Sequence, residues 1–175
     1  MKNNFIERPI VTRDGIFLAR YSEKGLAEID WPKVGMPLRG VRSARRADPT
    51  NKIPAKIKKW HRATEAALKK ILAGKKSKLP PLDWTGKTEF QKSVWRQMLK
   101  ISAGKTKSYG EIASAIGNPK AVRAVGGACG ANPVPVLVPC HRVLAANKKL
   151  GGFSGGLDWK RSLLAREGVR LHEAK

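Results

Sequence analysis

Cys140 and His141 stand side by side in the stretch Asn132 to Val143, which reads NPVPVLVPCHRV. A thiol is a strong nucleophile only as its thiolate, and an imidazole is a common base for making one. The pairing therefore points to covalent chemistry at Cys140. Val136, Leu137 and Val138 form a short apolar, largely β-branched run, which predicts a buried strand. Proline cannot continue a central ladder, so Pro139 should end that strand just before the cysteine. Adjacent side chains on an extended strand point opposite ways. His141 would then reach Cys140 only through a water, or after a turn following Pro139.

The elements around this pair can be read from patterning. Thr88-Glu89-Phe90-Gln91 has capping-box spacing, and it opens a helix with an apolar stripe of Phe90, Val94, Trp95, Met98, Leu99 and Ile101 that should run to Gly104. Ser108-Tyr109-Gly110-Glu111 repeats the box and opens a short helix through Ile112, Ala113 and Ile116. Gly117-Asn118-Pro119 breaks the chain, and Ala121 to about Ala131 predicts another helix with Val122 and Val125 on its inner face. Helix, glycine-containing turn and second helix is the plan of a helix-turn-helix. Apart from Arg123, the outer face of the second helix should be small: Ala121, Ala124, Gly127 and Ala128. Such a face offers no donor and acceptor pairs for reading a major groove. It suits close approach to a backbone in the minor groove, with one long cation to enter the stack. Close helix packing explains the same residues equally well.

The first half predicts an antiparallel meander. Ile10-Val11-Thr12 and Ile16 to Ala19 flank Arg13-Asp14-Gly15, a hairpin signal, and Leu26 to Trp31 adds a third strand that Pro32 ends. From 33 to 52 the chain turns to Gly, Pro and basic residues, with Arg39, Arg42, Arg45 and Arg46 in what reads as a solvated connection. Ile57, Trp60, Thr64, Leu68, Ile71 and Leu72 then recur at helical spacing between Pro54 and Ala73. Lys75 to Pro81 reads as a linker. The fold expected is α/β in content and α+β in arrangement. Residues 1–86 would form a small antiparallel sheet with a helix, and residues 87–175 a mostly helical domain with the helix-turn-helix and the cysteine.

Bulk properties narrow the partner. The 175 residues carry a net charge of +23, with 41% apolar and 28% charged residues. That field favours a polyanion, and nucleic acid over a membrane, since no basic amphipathic anchor stands out. No run reaches the roughly eighteen apolar residues of a membrane span. An apolar secretory region is absent after the first lysine, and only two cysteines, Cys129 and Cys140, occur, so a reducing, cytoplasmic setting is expected. The cysteines form no CxxC. Cys129 reads best as a small buried hydrophobe.

Three stretches, FQKSVWRQML, SYGEIASAIGNPKAVRAVGGACGANPVPVLVPCHRV and GGFSGGLDWKRSLLAREG, together resemble the O6-alkylguanine-DNA alkyltransferases. The resemblance covers residues 87 to 170, about half the chain. It implies minor-groove binding of duplex DNA, flipping of an alkylated guanine, and irreversible, single-turnover transfer of the alkyl group to Cys140. It further implies that His141 takes the thiol proton through water, that Glu167 orients the imidazole, and that Asn132 is a hinge between helix and active-site stretch. Tyr109 would turn the nucleotide phosphate and protonate the leaving guanine, and Arg123 would fill the vacated stack. Val143, Leu144, Phe153, Ser154 and Gly155 would lie in or near the base pocket. A carboxylate at Glu167 opposes the dipole of a helix ending there, so a His141 partner would favour it. No cofactor is implied. Some members carry zinc in the first domain, but this chain has no cysteine there and His61 stands alone, so no metal is expected. The partner would be double-stranded DNA containing O6-alkylguanine, met by a monomer, in the nucleoid or a nucleus according to source.

The chain departs from the family at three places. Phe153 stands where tyrosine is frequent, Ser102 where proline is frequent, and Asn147-Lys148 where a turn glycine is common, which should widen or strain that turn. Other readings of the same residues are a lesion-binding relative that transfers nothing, a helix-turn-helix regulator and a cysteine hydrolase. The first of these lacks the acceptor thiol, which this chain has.

Overall fold

The computed structural model describes residues 5–32 and 53–171. The arginine-rich 33–52 stretch lies outside them. Strands β1 (Ile6–Thr12), β2 (Gly15–Tyr21) and β3 (Leu26–Asp30) form an antiparallel sheet in that order. Period-two alternation along β2 puts Phe17, Ala19 and Tyr21 into the core. On the other face Arg20 gathers Glu7, Glu28 and Asp30, with its Nη2 2.6 Å from Asp30 Oδ2. Helix α1 (Ala55–Leu72) covers the sheet's neighbourhood with Ile57, Leu68, Ile71 and Leu72 buried, the stripe that its helical spacing predicts.

Residues 75–81 do not behave throughout as a free linker. Leu26 N–H donates to Pro81 O at 2.8 Å, and Asp83 N–H donates to Leu26 O at 2.8 Å. The prolines lack donors but keep the segment extended, so its carbonyl and the next free amide pair with β3.

Thr88 caps helix α2 (Glu89–Leu99) with the full reciprocal box. This helix stops at Leu99, short of Gly104; Ile101 is still buried, and its carbonyl accepts a hydrogen bond from Arg142 instead of continuing a helical ladder. Ser108 caps α3 (Tyr109–Ala115) in the same way, and α4 (Val122–Gly130) follows after the Gly117 turn. Two faces of α4 differ from expectation. Val122 is 40% exposed and Ala128 is buried, because the helix rotates to place Val125, Ala128 and Cys129 against α2. Trp95 Nε1–H donates to Ala128 O at 2.8 Å and fixes that rotation.

The largest correction falls on residues 132–139. Val136-Leu137-Val138 is no strand but a buried tight loop, with Val136 at φ +70°. Prolines at 133, 135 and 139 remove the donors a ladder needs, so the chain folds on itself and Val138 N–H donates to Val134 O at 2.9 Å. Asn132 adds two bonds: its Nδ2 donates to Val138 O at 2.8 Å and its Oδ1 accepts from Val134 N–H at 3.1 Å. Left-handed Val136 is strained, of order 1–3 kcal/mol, and it persists because these bonds over-determine the loop.

A single 3-10 turn then carries Cys140–Arg142 into β5 (Val143–Leu144), which pairs in parallel with β4 (Lys107–Ser108). The turn at Ala146–Lys148 holds Asn147 at φ +56° and Lys148 at φ +58°, the strain expected where glycine is missing. Helix α5 (Leu157–Arg166) closes the described chain. The two halves meet directly. Ile29 N–H donates to Pro133 O at 2.8 Å, and Arg166 pairs with both oxygens of Asp14 at 2.7 and 2.8 Å.

Candidate active site

Cys140 is 4% exposed, at the start of the 3-10 turn. The turn, rather than a strand end, is what removes His141 from the opposite face. Burial pushes the Cys140 thiol up, while the Asn132 amide, the Lys160 charge and the backbone amides of Cys140 and His141 pull it down without prevailing. A resting thiolate is therefore not what this site holds. Desolvation outweighs the local donors, so the proton must leave as the reaction occurs.

His141 is wholly buried, and its Nε2 lies 3.0 Å from Glu167 Oε1. Burial pushes the imidazole pKa down, against the pull of Glu167, so the ring is neutral at physiological pH. With Nε2 donating to the carboxylate, Nδ1 is left as the acceptor. That atom is buried and meets no hydrogen-bond partner. A neutral imidazole with one open nitrogen is a proton acceptor in waiting.

Glu167 caps the end of α5 and is turned inward, its side chain 2% exposed. It accepts from His141, from Arg142 Nε at 3.0 Å and Nη2 at 2.7 Å, and from Gly104 N–H at 3.2 Å. Burial alone would raise its pKa; hydrogen bonds from His141 and Arg142 reverse this and hold it at about 2. The carboxylate is thus ionised and immobile.

Two buried cations escaped sequence reasoning. Arg142 joins Glu167 to Ile101 O, at 2.6 Å from Nη1, and so ties α5 to the end of α2. Its signal was a charge inside an otherwise apolar stretch. Lys160 has no exposed surface; its Nζ donates to Val143 O at 2.8 Å, to Leu150 O, and more weakly to Gly152 O at 3.5 Å. Burial pulls its pKa down to about 8, against the thiols of Cys140 and Cys129. Helical spacing could have found it, since 160, 163 and 164 share the face that buries Leu163 and Leu164.

A cavity of about 470 Å³ opens between α4 and the 151–156 loop. It brings together Cys140, Tyr109, Arg123, Phe153 and Ser154, five of the residues singled out from sequence, with Val122 and Cys129 added to them. Asn132, His141 and Glu167 stand buried behind it. Val143, Leu144 and Gly155 do not border it: the first two are buried in β5, and Gly155 packs on Trp31. Ala124 and Gly127 are exposed on α4 and Ala121 is half-buried at its start, all outside the cavity lining. Cys129 packs with its Sγ 3.5 Å from Met98 Sδ, and burial drives its pKa to about 12. Tyr109 begins α3 half-buried, and burial raises its pKa, keeping the phenol protonated. Among the described residues no group of three or more His, Cys, Asp or Glu could hold a metal ion, and no helix is long and apolar enough to cross a membrane.

Fold and site together define a class: an α+β protein whose helix-turn-helix borders a cavity holding a buried thiol, with a histidine and a glutamate behind it. The chain matches, over residues 89–169, the family model described as 6-O-methylguanine DNA methyltransferase, DNA binding domain. It is 59% identical over 81 residues to the methylated-DNA--protein-cysteine methyltransferase of Methanosarcina acetivorans, a match covering 46% of this chain and 52% of that protein. A counterpart from Mycolicibacterium paratuberculosis is 57% identical over 86 residues, covering 49% and 52%. These matches span about half the length of the curated relatives. Solved structures extend further. Mycobacterium tuberculosis OGT in complex with DNA superposes with a TM-score of 0.66 at 34% identity, covering 92% of this chain and 91% of that one. The O6-methylguanine-DNA methyltransferase of Pyrococcus kodakaraensis gives 0.59 at 25% identity, covering 93% and 98%. The chain belongs to the O6-methylguanine-DNA methyltransferase family.

Proposed function

We propose that this chain repairs DNA by moving the alkyl group of an O6-alkylguanine, flipped out of double-stranded DNA, onto Cys140. The carrying observation is the buried Cys140 thiol beside a neutral His141 whose Nδ1 is unoccupied, on a cavity bordered by the helix-turn-helix. The thiol proton passes to His141 Nδ1 through a bridging water, and Glu167 holds the ring and offsets the charge it gains. Sγ attacks the alkyl carbon, the carbon–O6 bond breaks, and its electron pair leaves with the guanine. Tyr109 O–H supplies the proton that the leaving base takes up, and the proton on His141 restores the phenol through solvent. The product is a thioether, which nothing in the site can cleave, so each molecule reacts once. Asn132 is the hinge between α4 and the loop that positions Cys140. Ala121, Ala124 and Gly127 give α4 a small face for minor-groove approach, with Arg123 filling the vacated stack. The +23 charge supplies phosphate affinity. No cofactor enters, a monomer suffices, and residues 1–86 and 87–175 form the two units.

Intact-mass measurement tests this. Mixed with an oligonucleotide bearing O6-methylguanine, the protein should gain one methyl group on the Cys140 peptide and leave unmodified guanine in the DNA; Cys140→Ala should gain nothing. Tight lesion binding with no mass gain would favour the second reading, a protein that holds lesions for other factors. For the DNA interface, Arg123→Ala should slow transfer on duplex roughly tenfold or more. Alanine at Lys56, Lys58 and Lys59 together should instead chiefly flatten the salt dependence of binding, by about one unit of slope for each phosphate that the protein no longer neutralises. Equal effects of the two changes on both measurements would remove the finger role.

A further inference from the structure

We propose that Trp31, from the N-terminal sheet, sets the position of the cavity wall formed by residues 151–156 and thereby limits the size of alkyl group that Cys140 accepts. The proposal rests on transfer to Cys140 as described above.

The wall reads GGFSGG, with four glycines, so its own side chains do little to fix it. Neighbours fix it instead. Lys160 holds the Leu150 and Gly152 carbonyls, Tyr109 packs on Gly151, and Trp31 backs the remainder. Trp31 follows the last residue of β3. Its indole meets the Phe153 ring edge-on, with centroids 5.4 Å apart at 68°, and is itself wedged against Trp159 at 5.1 Å and Phe17 at 6.2 Å. The core ring of Phe17 and the half-buried Trp159 therefore hold the surface on which the wall rests.

Gly155 shows how close that support is. A Cβ there would lie 2.7 Å from Trp31 Cε2 and 2.9 Å from Cζ2, well inside contact distance. The backbone at Gly155 lies against the indole. On the opposite side, Gly152, Phe153 and Ser154 line the cavity with Cys140. Trp31 does not line it. Phe153 is thus shared: it lines the cavity with Cys140, and its ring meets Trp31. Trp31 acts as a positioning residue, through Phe153 and Gly155.

Two substitutions should move the wall in opposite directions. Trp31→Ala leaves space behind Phe153 and lets the wall withdraw, easing entry of a large group while loosening the fit around a small one. Gly155→Ala adds a methyl group against the indole and drives the wall toward the cavity. Because the clash requires Trp31, the same change in a Trp31→Ala background should do nothing.

The test is the single-turnover rate on oligonucleotides bearing O6-methylguanine or O6-benzylguanine, with unfolding measured alongside. Trp31→Ala should raise the benzyl-to-methyl rate ratio roughly tenfold, in line with what a small change in apolar pocket volume is worth. Trp31→Phe, which keeps a ring edge against Phe153, should stay near wild type. Gly155→Ala should lower the ratio, and the double variant should match Trp31→Ala. A merely structural role would slow both substrates together, and an unchanged ratio in Trp31→Ala overturns the proposal while leaving the transfer reaction standing. Should Trp31→Ala fail to fold, Gly155→Ala decides alone, with an unchanged ratio again overturning it. A wild-type protein that transfers neither group overturns both the function and this inference.

Discussion

Glu167→Ala should lose both stability and transfer. The carboxylate is the common partner of His141 and Arg142, all three essentially withdrawn from water. Removing it leaves the Arg142 guanidinium buried with Ile101 O but no counter-charge, a situation that costs about 3–5 kcal/mol. Urea unfolding should report that loss directly. Transfer should fall by roughly 10²–10⁴, the range for removing a positioned base or the group that orients it. Glu167→Gln separates the two effects. It keeps an oxygen to accept from His141 but loses the charge that offsets an imidazolium, so it should fold better than the alanine variant and still transfer slowly. Full transfer in Glu167→Gln would show that the carboxylate serves Arg142 alone.

The same array fixes the acid limb. His141 is buried neutral, with a folded pKa below its ordinary value, so the unfolded chain binds its proton first. Stability should begin to fall as the pH drops through the ordinary imidazole range, about 6.5. Glu167 acts lower. Its folded pKa of about 2 lies below the unfolded one, so its contribution is complete above the ordinary carboxylate range and is lost as pH falls toward about 2. Two successive losses are expected in a pH series of urea midpoints, and Glu167→Gln should keep the first and shrink the second, leaving the share of Asp14, whose pKa the Arg166 pair also lowers.

Much of the scaffold was legible because it is written in local rules. Both capping boxes, at Thr88 and Ser108, are side chain to backbone bonds within four residues, and both helices start where the boxes place them. Alternation along β2 and the stripe of α1 are equally local. The stretch before Cys140 misled for a physical reason. Val-Leu-Val is the composition of a buried strand, but burial is also what a tight loop achieves when a neighbouring side chain satisfies its backbone. Asn132 does that here, from six residues away, and no periodicity records it. Three prolines within seven residues were the better signal, since they leave too few donors for a ladder. The rotation of α4 was missed similarly: Val122 is the more apolar residue, yet packing on α2 and the Trp95 bond to Ala128 decide which face turns inward. Arg142 and Lys160 are easily passed over because charge ordinarily means surface; their positions on apolar faces hint at burial, and the tertiary structure supplies the carbonyls and carboxylate that permit it.

Lys160→Met follows from that last point and has the other large expected effect. Methionine fills much the same volume but cannot donate, so Val143 O, Leu150 O and Gly152 O lose their shared partner. Losing donors to buried carbonyls costs about 1–3 kcal/mol each, while removing a buried charge returns part of that sum. The variant should therefore still fold, weakened by about 2 kcal/mol. Chemistry should suffer more. The Lys160 charge is one of the few influences that lower the Cys140 thiol pKa, and its loss leaves burial less opposed. A further rise makes the proton harder to remove, so transfer should slow from this alone. Slack in the 150–152 backbone adds to it. The pH dependence distinguishes charge from packing. Burial holds the folded Lys160 pKa at about 8, below its ordinary range, so the unfolded chain holds the extra proton above that point. Wild-type stability should gain a rising component from about pH 8 toward the ordinary lysine range, and Lys160→Met should lack it. A rate loss that Lys160→Arg restores would assign the effect to charge. Wild-type transfer in Lys160→Met, with only stability lost, would show that the residue acts on the thiol through neither route and serves only to hold the turn between β5 and α5.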